Sequence, residues 1–247
     1  MSEGKPTTGR GDAAGFAATR WTLVWAAADG RVSPRAQEAM EELCRLYWYP
    51  LYAYVRRRGH EAHEAEDLTQ EFFLRLLAKD FFAGVDRRKG KFRAFLLAAL
   101  KHFLANQRDR SRTQKRGGGQ VVVSLDGLKA ESRYQLEPAH NPTAEKLFER
   151  QWAIAVLDWV LLRLQTDFAA EGKQAIFDRL KPFLTAGRQP GGYAEVAGEL
   201  GISEGAVKTA VHRLRRRYRQ LLRDEIAQTV ASSEEIDEEI RYLLACL

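Results

Sequence analysis

The chain has 247 residues, of which 45% are apolar and 29% charged, and its formal net charge is +6. This composition is typical of a globular protein with one large or two small domains, and it contains no apolar run long enough to span a bilayer. The positive charge indicates an anionic partner, while the two cysteines, Cys44 and Cys246, imply no disulfide framework and have no metal-ligand spacing.

The N-terminal extension, residues 1–17, is polar and rich in glycine, and we expect it to be disordered. It has no apolar run suited to a signal peptide. With so few cysteines, the chain is expected in the reducing cytoplasm, with no membrane partner.

Helical periodicity dominates the chain, and the only short β-like run is VVVSL at 121–125. We therefore predict an all-α fold of two helical domains joined by a long flexible linker, with a short C-terminal helix. The predicted ranges are a first domain at 18–112, a linker at 113–140, a second domain at 141–228 and an acidic, amphipathic tail at 229–247.

The segment from His63 to Lys79 reads as an amphipathic helix with two different faces. Its core stripe contains Ala65, Leu68, Phe72 and Leu76. The opposite stripe contains His63, Asp67, Gln70, Glu71 and Leu74. An acidic face that includes a leucine favours a basic, partly apolar protein partner, and the alternative is a solvated face with one stray leucine.

Four potential metal ligands, His60, His63, Glu64 and Asp67, also lie at helical spacings. They keep open the alternative of a metal-dependent hydrolase. The chain has no HExxH motif, no phosphate-binding GxxxxGK[ST] loop and no nucleophile elbow. We expect no metal, no cofactor and no enzymatic activity.

A basic helix follows in residues 86–112. Phe92, Phe95, Leu96 and Phe103 belong to its predicted buried stripe. Arg93, Lys101 and Arg108 fall within one arc on the other side, and Arg110 follows. Cations beside aromatic rings are typical of surfaces that bind single-stranded nucleic acid.

A helix-turn-helix is predicted in residues 193–217. Ala197 is small where two helices cross, Gly201 suits a turn with positive φ, and Val207 anchors the second helix. Ser203 is placed to cap that helix. The outward positions are Glu204, Lys208, Thr209, His212 and Arg213, followed by an arginine block that includes Arg216 and Arg217.

This arrangement suits duplex DNA, because the first turns of a recognition helix contact base edges while arginines at its far end neutralise phosphates. The alternative is a helical hairpin with a solvated basic face.

Three motifs in this order resemble those of bacterial sigma factors of the sigma-70 family. AEDLTQEFFLRLL (65–77) resembles the helix that binds core RNA polymerase, and GKFRAFLLAALKHFLANQRDR (90–110) resembles the segment that melts and reads the −10 promoter element. YAEVAGELGISEGAVKTAVHRLRRRYRQLL (193–222) is similar to the helix-turn-helix that reads the −35 element. The spacing leaves no room for a middle domain, which indicates the extracytoplasmic-function (ECF) type, with region 2, a linker and region 4.

The resemblance implies partners and roles for individual residues. Core RNA polymerase, through its largest-subunit clamp and its flap, and promoter DNA are the implied partners. The implied polymerase contacts are Asp67, Gln70, Glu71 and Leu74. The implied −10 contacts are Arg93, Lys101, His102, Asn106, Arg108 and Arg110. The implied −35 contacts are Ser203, Glu204, Lys208, Thr209, His212, Arg213, Arg216 and Arg217.

The main alternative is a helix-turn-helix regulator that acts on DNA without replacing the resident sigma factor. Two sources of control are also left open, an anti-sigma factor and the tail itself. The tail carries an apolar stripe of Ile236, Ile240, Leu243, Leu244 and Leu247 behind a capping box at Ser232 and Glu235. It either docks on its own region 4 or covers a functional surface until it is displaced.

Overall fold

The computed structural model describes residues 34–76, 91–113, 127–137, 143–185 and 192–247. Within these ranges the chain forms α-helices and no strand, so the all-α prediction is confirmed. The helices are α1 (Pro34–Arg57), α2 (Ala62–Leu76), α3 (Phe92–Thr113), α4 (Gly127–Gln135), α5 (Ala144–Ala170), α6 (Gln174–Leu180), α7 (Pro182–Thr185), α8 (Gly192–Leu200), α9 (Glu204–Ala227) and α10 (Ile236–Ala245), the last preceded by a 3-10 turn at Ser233–Glu235. The predicted N-terminal extension and the VVVSL run lie outside the described residues.

The larger core lies between α1 and α5. The second half of α1 is rich in aromatic residues, and Tyr47, Tyr52 and Tyr54 are almost completely buried. Phe148 and Trp152 of α5 belong to the same core. Burial of this length of α1 outweighs the hydrogen bond that Pro50 cannot donate inside the helix. Aromatic side chains therefore hold the first predicted domain against the start of the second.

A smaller core is built around the helix-turn-helix. Leu164 from the end of α5 packs with Phe177, Leu180 and Val207. The long helices α5 and α9 extend through both cores, since Leu222 and Ile226 at the end of α9 belong to the larger one. The predicted boundary at 141 therefore separates the two halves along the sequence, whereas the larger core contains residues from both.

The segment predicted as a linker contains α4, which packs on α1. Glu131 accepts hydrogen bonds from Tyr52 Oη at 2.5 Å and from Arg56 at 2.9 Å. The guanidinium of Arg133 lies 3.9 Å from the ring centre of Tyr49. These contacts are mainly polar, so apolar periodicity gave no sign of this helix.

Two helix starts differ in detail from the sequence pattern, in which Asn141 and Pro142 predict a cap followed by a first helical residue, and Ser232 with Glu235 predicts a capping box. Thr143 caps α5 by accepting a hydrogen bond from the Lys146 amide at 3.3 Å. Near α10, the Glu235 carboxylate accepts from the Ala231 amide at 3.3 Å, but Ser232 makes no side-chain cap. The predicted capping box therefore does not form, since Glu235 bonds the amide that precedes Ser232 and not the amide of Ser232 itself.

None of the helices in the described ranges combines the length and the apolar character needed to cross a membrane.

Candidate functional site

The face of α2 opposite the core presents the predicted polymerase contacts. Ala65, Phe72 and Leu76 are buried, while Asp67 is exposed and Leu74 is 51% exposed. A leucine exposed to this degree in the middle of a packed helix is open to a partner.

The two remaining polymerase candidates are half-exposed at the same face. Gln70 donates to Glu66 at 3.3 Å, and Glu71 accepts from Arg75 and from Gln107 of α3, each at 2.5 Å. The Glu71–Gln107 bond fixes α2 beside α3. The result is an acidic surface with one apolar side chain, held rigidly by a helix on each side.

The metal alternative finds no support in this part of the chain. His60 Nδ1 lies 3.0 Å from Glu64 Oε1, within one turn-and-helix segment. Across the described ranges, no three His, Cys, Asp or Glu side chains converge on one point.

The outer face of α3 carries most of the predicted −10 contacts. Lys101, His102 and Asn106 are all exposed and define the outer stripe of α3, in which Lys101 and His102 are adjacent in sequence and Asn106 lies one turn beyond His102. Lys101 is already paired with Glu145 of α5 at 2.8 Å. Beside this stripe, Arg58, His60 and Arg108 border an open cleft with Lys101. The side chain of Arg110 lies outside the described part of the chain.

Arg93 does not share that outer face. Only 7% of it is exposed, and its Nε donates to Glu239 Oε1 of α10 at 2.6 Å. Its Nη1 donates to Glu149 at 3.3 Å, and its guanidinium lies 4.1 Å from the ring centre of Tyr242. In this arrangement Arg93 is a structural cation, enclosed between α3, α5 and α10, and it does not reach the surface where DNA would bind.

Sequence reasoning missed the partner of Arg93. Glu239 is completely buried, although it belongs to the acidic residues that begin the amphipathic tail. A signal was present, because Glu239 falls at the same helical face as Ile236 and Leu243. A carboxylate inside an apolar stripe indicates a buried cation somewhere else in the fold.

The helix-turn-helix forms as predicted from its small and apolar residues. Gly201 has a φ of +65°, and the Ile202 amide donates to the Ala197 carbonyl at 3.0 Å across the turn. Ser203 caps α9 by accepting from the Ala206 amide at 3.2 Å. Ala197 and Val207 are buried between α8 and α9. These contacts fix the angle at which α9 leaves the turn.

The first turns of α9 present an exposed polar surface. Ser203, Glu204, Lys208, Thr209, His212, Arg213 and Arg216 are exposed. Lys208 pairs with Glu204 at 2.8 Å, whereas the charged groups of Arg213 and Arg216 have no ion-pair partner among the described residues. The surface is therefore cationic and solvent-facing, as duplex binding requires.

Two arginines of the block, Arg215 and Arg217, already bind groups of the protein itself. Arg217 pairs with Asp167 at 3.1 Å and Glu171 at 2.8 Å, both from the end of α5. Arg215 donates to the Phe183 carbonyl at 2.8 Å. Hydrogen bonds from Lys173 and Arg217 lower the pKa of Glu171 to about 2. The predicted DNA contact at Arg217 is thus already engaged, while Arg213 and Arg216 stay available.

Comparison with known proteins finds similarity to sigma factors. Residues 43–114 match the family model for sigma-70 region 2, which spans α1 to α3. The chain is 25% identical over 198 residues to the ECF RNA polymerase sigma factor SigE of Mycolicibacterium smegmatis. The aligned residues make up 80% of this chain and 67% of that relative. No solved structure gives a significant match. The chain is thus similar to sigma-70 region 2 in its first half, and along most of its length it is similar to a sigma factor of the extracytoplasmic-function type.

Proposed function

We propose that this chain binds core RNA polymerase and directs it to promoters by holding the −35 element as duplex and the −10 element as melted strand. A role in transcription initiation is supported by the match to sigma-70 region 2 and by the similarity to an ECF sigma factor. The assignment of each step to particular residues is the proposal, and its main support is that two cationic surfaces and one acidic surface lie on separate helices.

The acidic face of α2 is the proposed polymerase contact. Leu74 supplies an apolar centre, and Asp67, Gln70 and Glu71 surround it on the same stripe. An exposed leucine ringed by polar groups has the composition of a protein–protein contact, in which an apolar centre is desolvated inside a polar rim. The partner that fits is a basic, partly apolar surface of the polymerase largest subunit, and the flap is the proposed contact for region 4.

The outer stripe of α3 is the proposed −10 contact. Lys101 supplies charge for the phosphate backbone, while His102 and Asn106 supply a ring and an amide for unpaired bases. Arg108 borders the adjoining cleft and adds further positive charge. Because Arg93 is enclosed, it is assigned no contact in this arrangement.

The start of α9 is the proposed −35 contact. Lys208, Thr209, His212 and Arg213 lie on the first turns and are positioned for base edges, while Arg216 is positioned for a phosphate. Each DNA contact needs only modest strength, because both DNA-binding surfaces are attached to one polymerase. Once one surface is bound to its promoter element, the effective concentration of the second surface at its own element is raised. For about 6–10 phosphate contacts, binding is expected to weaken by roughly three to five decades between about 50 and 200 mM salt.

The test is run-off transcription with purified core polymerase and a genomic fragment library, with and without this protein. Discrete new transcripts that start at shared sequence elements are expected. The double variant Asp67→Ala with Glu71→Ala should weaken the affinity for core about tenfold or more. Glu41→Ala with Glu61→Ala is the matched control, because it removes the same charge from exposed positions outside the stripe.

Two results would contradict the proposal. One is the absence of new transcripts from every fragment when the protein is added to core polymerase. The other is an unchanged affinity for core in the Asp67 and Glu71 double variant. Tight, specific binding of the free protein to a two-fold DNA site would then favour the helix-turn-helix regulator.

A further inference from the structure

The two helices proposed to read DNA meet at one point. The Phe92 amide at the start of α3 donates to the Thr229 carbonyl, just beyond the end of α9, at 3.1 Å. Phe92, Ile226 and Val230 are buried in the same core. The start of α3, the proposed −10 contact, therefore lies against the end of α9, the proposed −35 contact.

The C-terminal helix α10 covers this junction and contacts both sides. Glu239 accepts from Arg93 at 2.6 Å and from Lys91 at 2.7 Å, which fastens α10 to the start of α3. Asp237 forms an ion pair with Arg223, which fastens α10 to α9. Leu243 is fully buried between them.

The Glu239 contact is specific to this arrangement. Burial of the Glu239 carboxyl disfavours its charge, but hydrogen bonds from Arg93 and Lys91 outweigh this effect and lower its pKa. A buried ion pair adds little net stability relative to apolar packing, yet it is costly to leave one partner unpaired. It therefore selects the one position of α10 in which all three groups meet.

The contacts of Glu239, together with a separate ion pair from α5, neutralise cations of the α3 segment. Lys91 and Arg93 are paired with Glu239, and Lys101 is paired with Glu145 of α5. Both carboxylates come from outside the region 2 helices. A DNA phosphate would need these cations, so the carboxylates and DNA compete for them.

The length of the two helices limits how far apart their reading residues lie. From Lys208 along α9 to Thr229, and from Phe92 along α3 to Asn106, the path is at most about 60 Å at about 1.5 Å per residue. The −35 and −10 elements are named for positions about 25 base pairs apart, which is roughly 85 Å of duplex at about 3.4 Å per base pair. The joined helices are therefore too short to reach both elements at once.

From these contacts we propose that α10 is an intramolecular clasp, which holds α3 against the end of α9 through Glu239 and must be released before both promoter elements can be bound. This inference rests on the proposed function. It assigns to the tail a closed state that lowers the affinity of the free chain for DNA.

The test compares the full-length wild type with Glu239→Gln, and with Glu234→Gln as the matched control on the same tail. Glu234 is exposed and has no ion-pair partner among the described residues. Hydrogen exchange of the α10 amides reports opening. Fluorescence anisotropy with a fluorescein-labelled, mixed-sequence single-stranded DNA reports affinity, and run-off transcription reports activity.

Glu239→Gln should speed α10 exchange, tighten DNA binding about three- to tenfold and raise transcription at limiting protein, while Glu234→Gln should match the wild type. Glu145→Gln releases Lys101 without changing α10, so it measures the effect of freeing one α3 cation by itself; about a twofold gain in DNA affinity with unchanged α10 exchange is expected. Deleting residues 232–247 should give the largest gain, and adding these residues back as a peptide should reverse it.

The clasp is overturned if the folded deletion variant binds DNA and directs transcription no better than the wild type, or if Glu239→Gln speeds α10 exchange without tightening DNA binding. If no variant directs transcription, but Glu239→Gln and the deletion still bind DNA more tightly, the clasp stands and the proposed sigma-factor function fails.

Discussion

Glu131 of α4 and Arg56 of α1 form a two-pronged ion pair, in which Nε and Nη2 each donate to one carboxylate oxygen at 2.9 Å. Tyr52 donates to the same carboxylate at 2.5 Å. The hydrogen bond from Arg56 is the main cause of the lowered pKa of Glu131. A segment between the two helical halves of the sequence is thereby held on the surface of the first.

We expect Glu131→Ala to lower the free energy of unfolding by about 2 kcal/mol, because charge-assisted hydrogen bonds are lost from a largely covered site. Urea denaturation followed by circular dichroism measures this change. Glu195→Ala, at an exposed position of α8, is the control and should change stability by less than about 0.5 kcal/mol. Equal effects of the two substitutions would show that α4 is not held by this pair.

The contrast between α4 and the helix-turn-helix shows what the sequence could predict. Ala197, Gly201 and Val207 meet within one short stretch, so their sizes and φ preferences were enough to predict the turn. The docking of α4 depends on pairs such as Arg56–Glu131, which are far apart in the sequence and polar. Short-range sterics are visible in a single sequence, whereas the choice of a distant polar partner is not.

Replacing Leu74 with alanine should weaken binding to core RNA polymerase about tenfold, since roughly 1.5 kcal/mol of apolar burial is lost at the interface. The leucine is 51% exposed in the free chain, so the thermal unfolding midpoint should change little. A titration of labelled protein with purified core measures the affinity.

Leu136→Ala is the matched control for Leu74, because Leu136 is 85% exposed and belongs to a different segment, just after the end of α4. It should leave the affinity for core unchanged. If both leucine variants bind core as well as the wild type, the α2 face is not the polymerase contact.

Two glycines near the turn should respond to alanine in opposite directions. Gly201 has a φ of +65° and no atom within 4 Å of an added Cβ, so Gly201→Ala should cost about 1–2 kcal/mol through backbone conformation alone. Gly205 lies inside α9 with only Ser203 Oγ at 4.0 Å, so Gly205→Ala should stabilise by up to about 1 kcal/mol. Chemical denaturation of both variants is the measurement, and a shift of the same sign in both would contradict the assigned turn.

Arg216 is predicted to contact a phosphate and not a base. Arg216→Ala should therefore weaken duplex binding to a similar degree for all sequences and reduce the slope of log affinity against log salt by about 0.9. Arg241→Ala, which removes an exposed arginine from α10, is the control and should leave the slope unchanged. A change in sequence preference on removing Arg216 would indicate a base contact instead.

The enclosure of Arg93 also marks a limit of the sequence prediction. The arc that contains Arg93, Lys101 and Arg108 correctly identified an outward face for Lys101, but Arg93 is a full two turns earlier, where α10 covers the helix. The residues that cover it, Glu239 and Tyr242, are contributed by the C-terminal tail. Whether a cation at a helix start is exposed depends on such distant segments.

The ion pair of Glu239 predicts how stability depends on pH. The groups around this carboxylate are Lys91 and Arg93, with Glu149 on α5 and Tyr242 and Cys246 on its own helix. The pKa of Glu239 is lowered on folding, so its stabilisation is complete above the ordinary carboxyl value of 4.5 and is lost as pH falls through the lowered value. The difference in unfolding free energy between wild type and Glu239→Gln should accordingly stay constant, at about 2 kcal/mol, from pH 8 to about 5.5.

Below pH 4.5 the same difference should shrink, because the protonated wild-type carboxyl comes to resemble the amide. Urea denaturation of both proteins at several pH values measures it, and Glu234→Gln provides the control, with no difference from wild type at any pH. Acid affects other carboxylates as well, but these are shared by the two proteins and cancel in the comparison. If the difference in unfolding free energy stayed constant down to acid unfolding, the charge of Glu239 would not stabilise the clasp. The lower stability of Glu239→Gln would then come from a cause that does not depend on ionisation of the carboxyl.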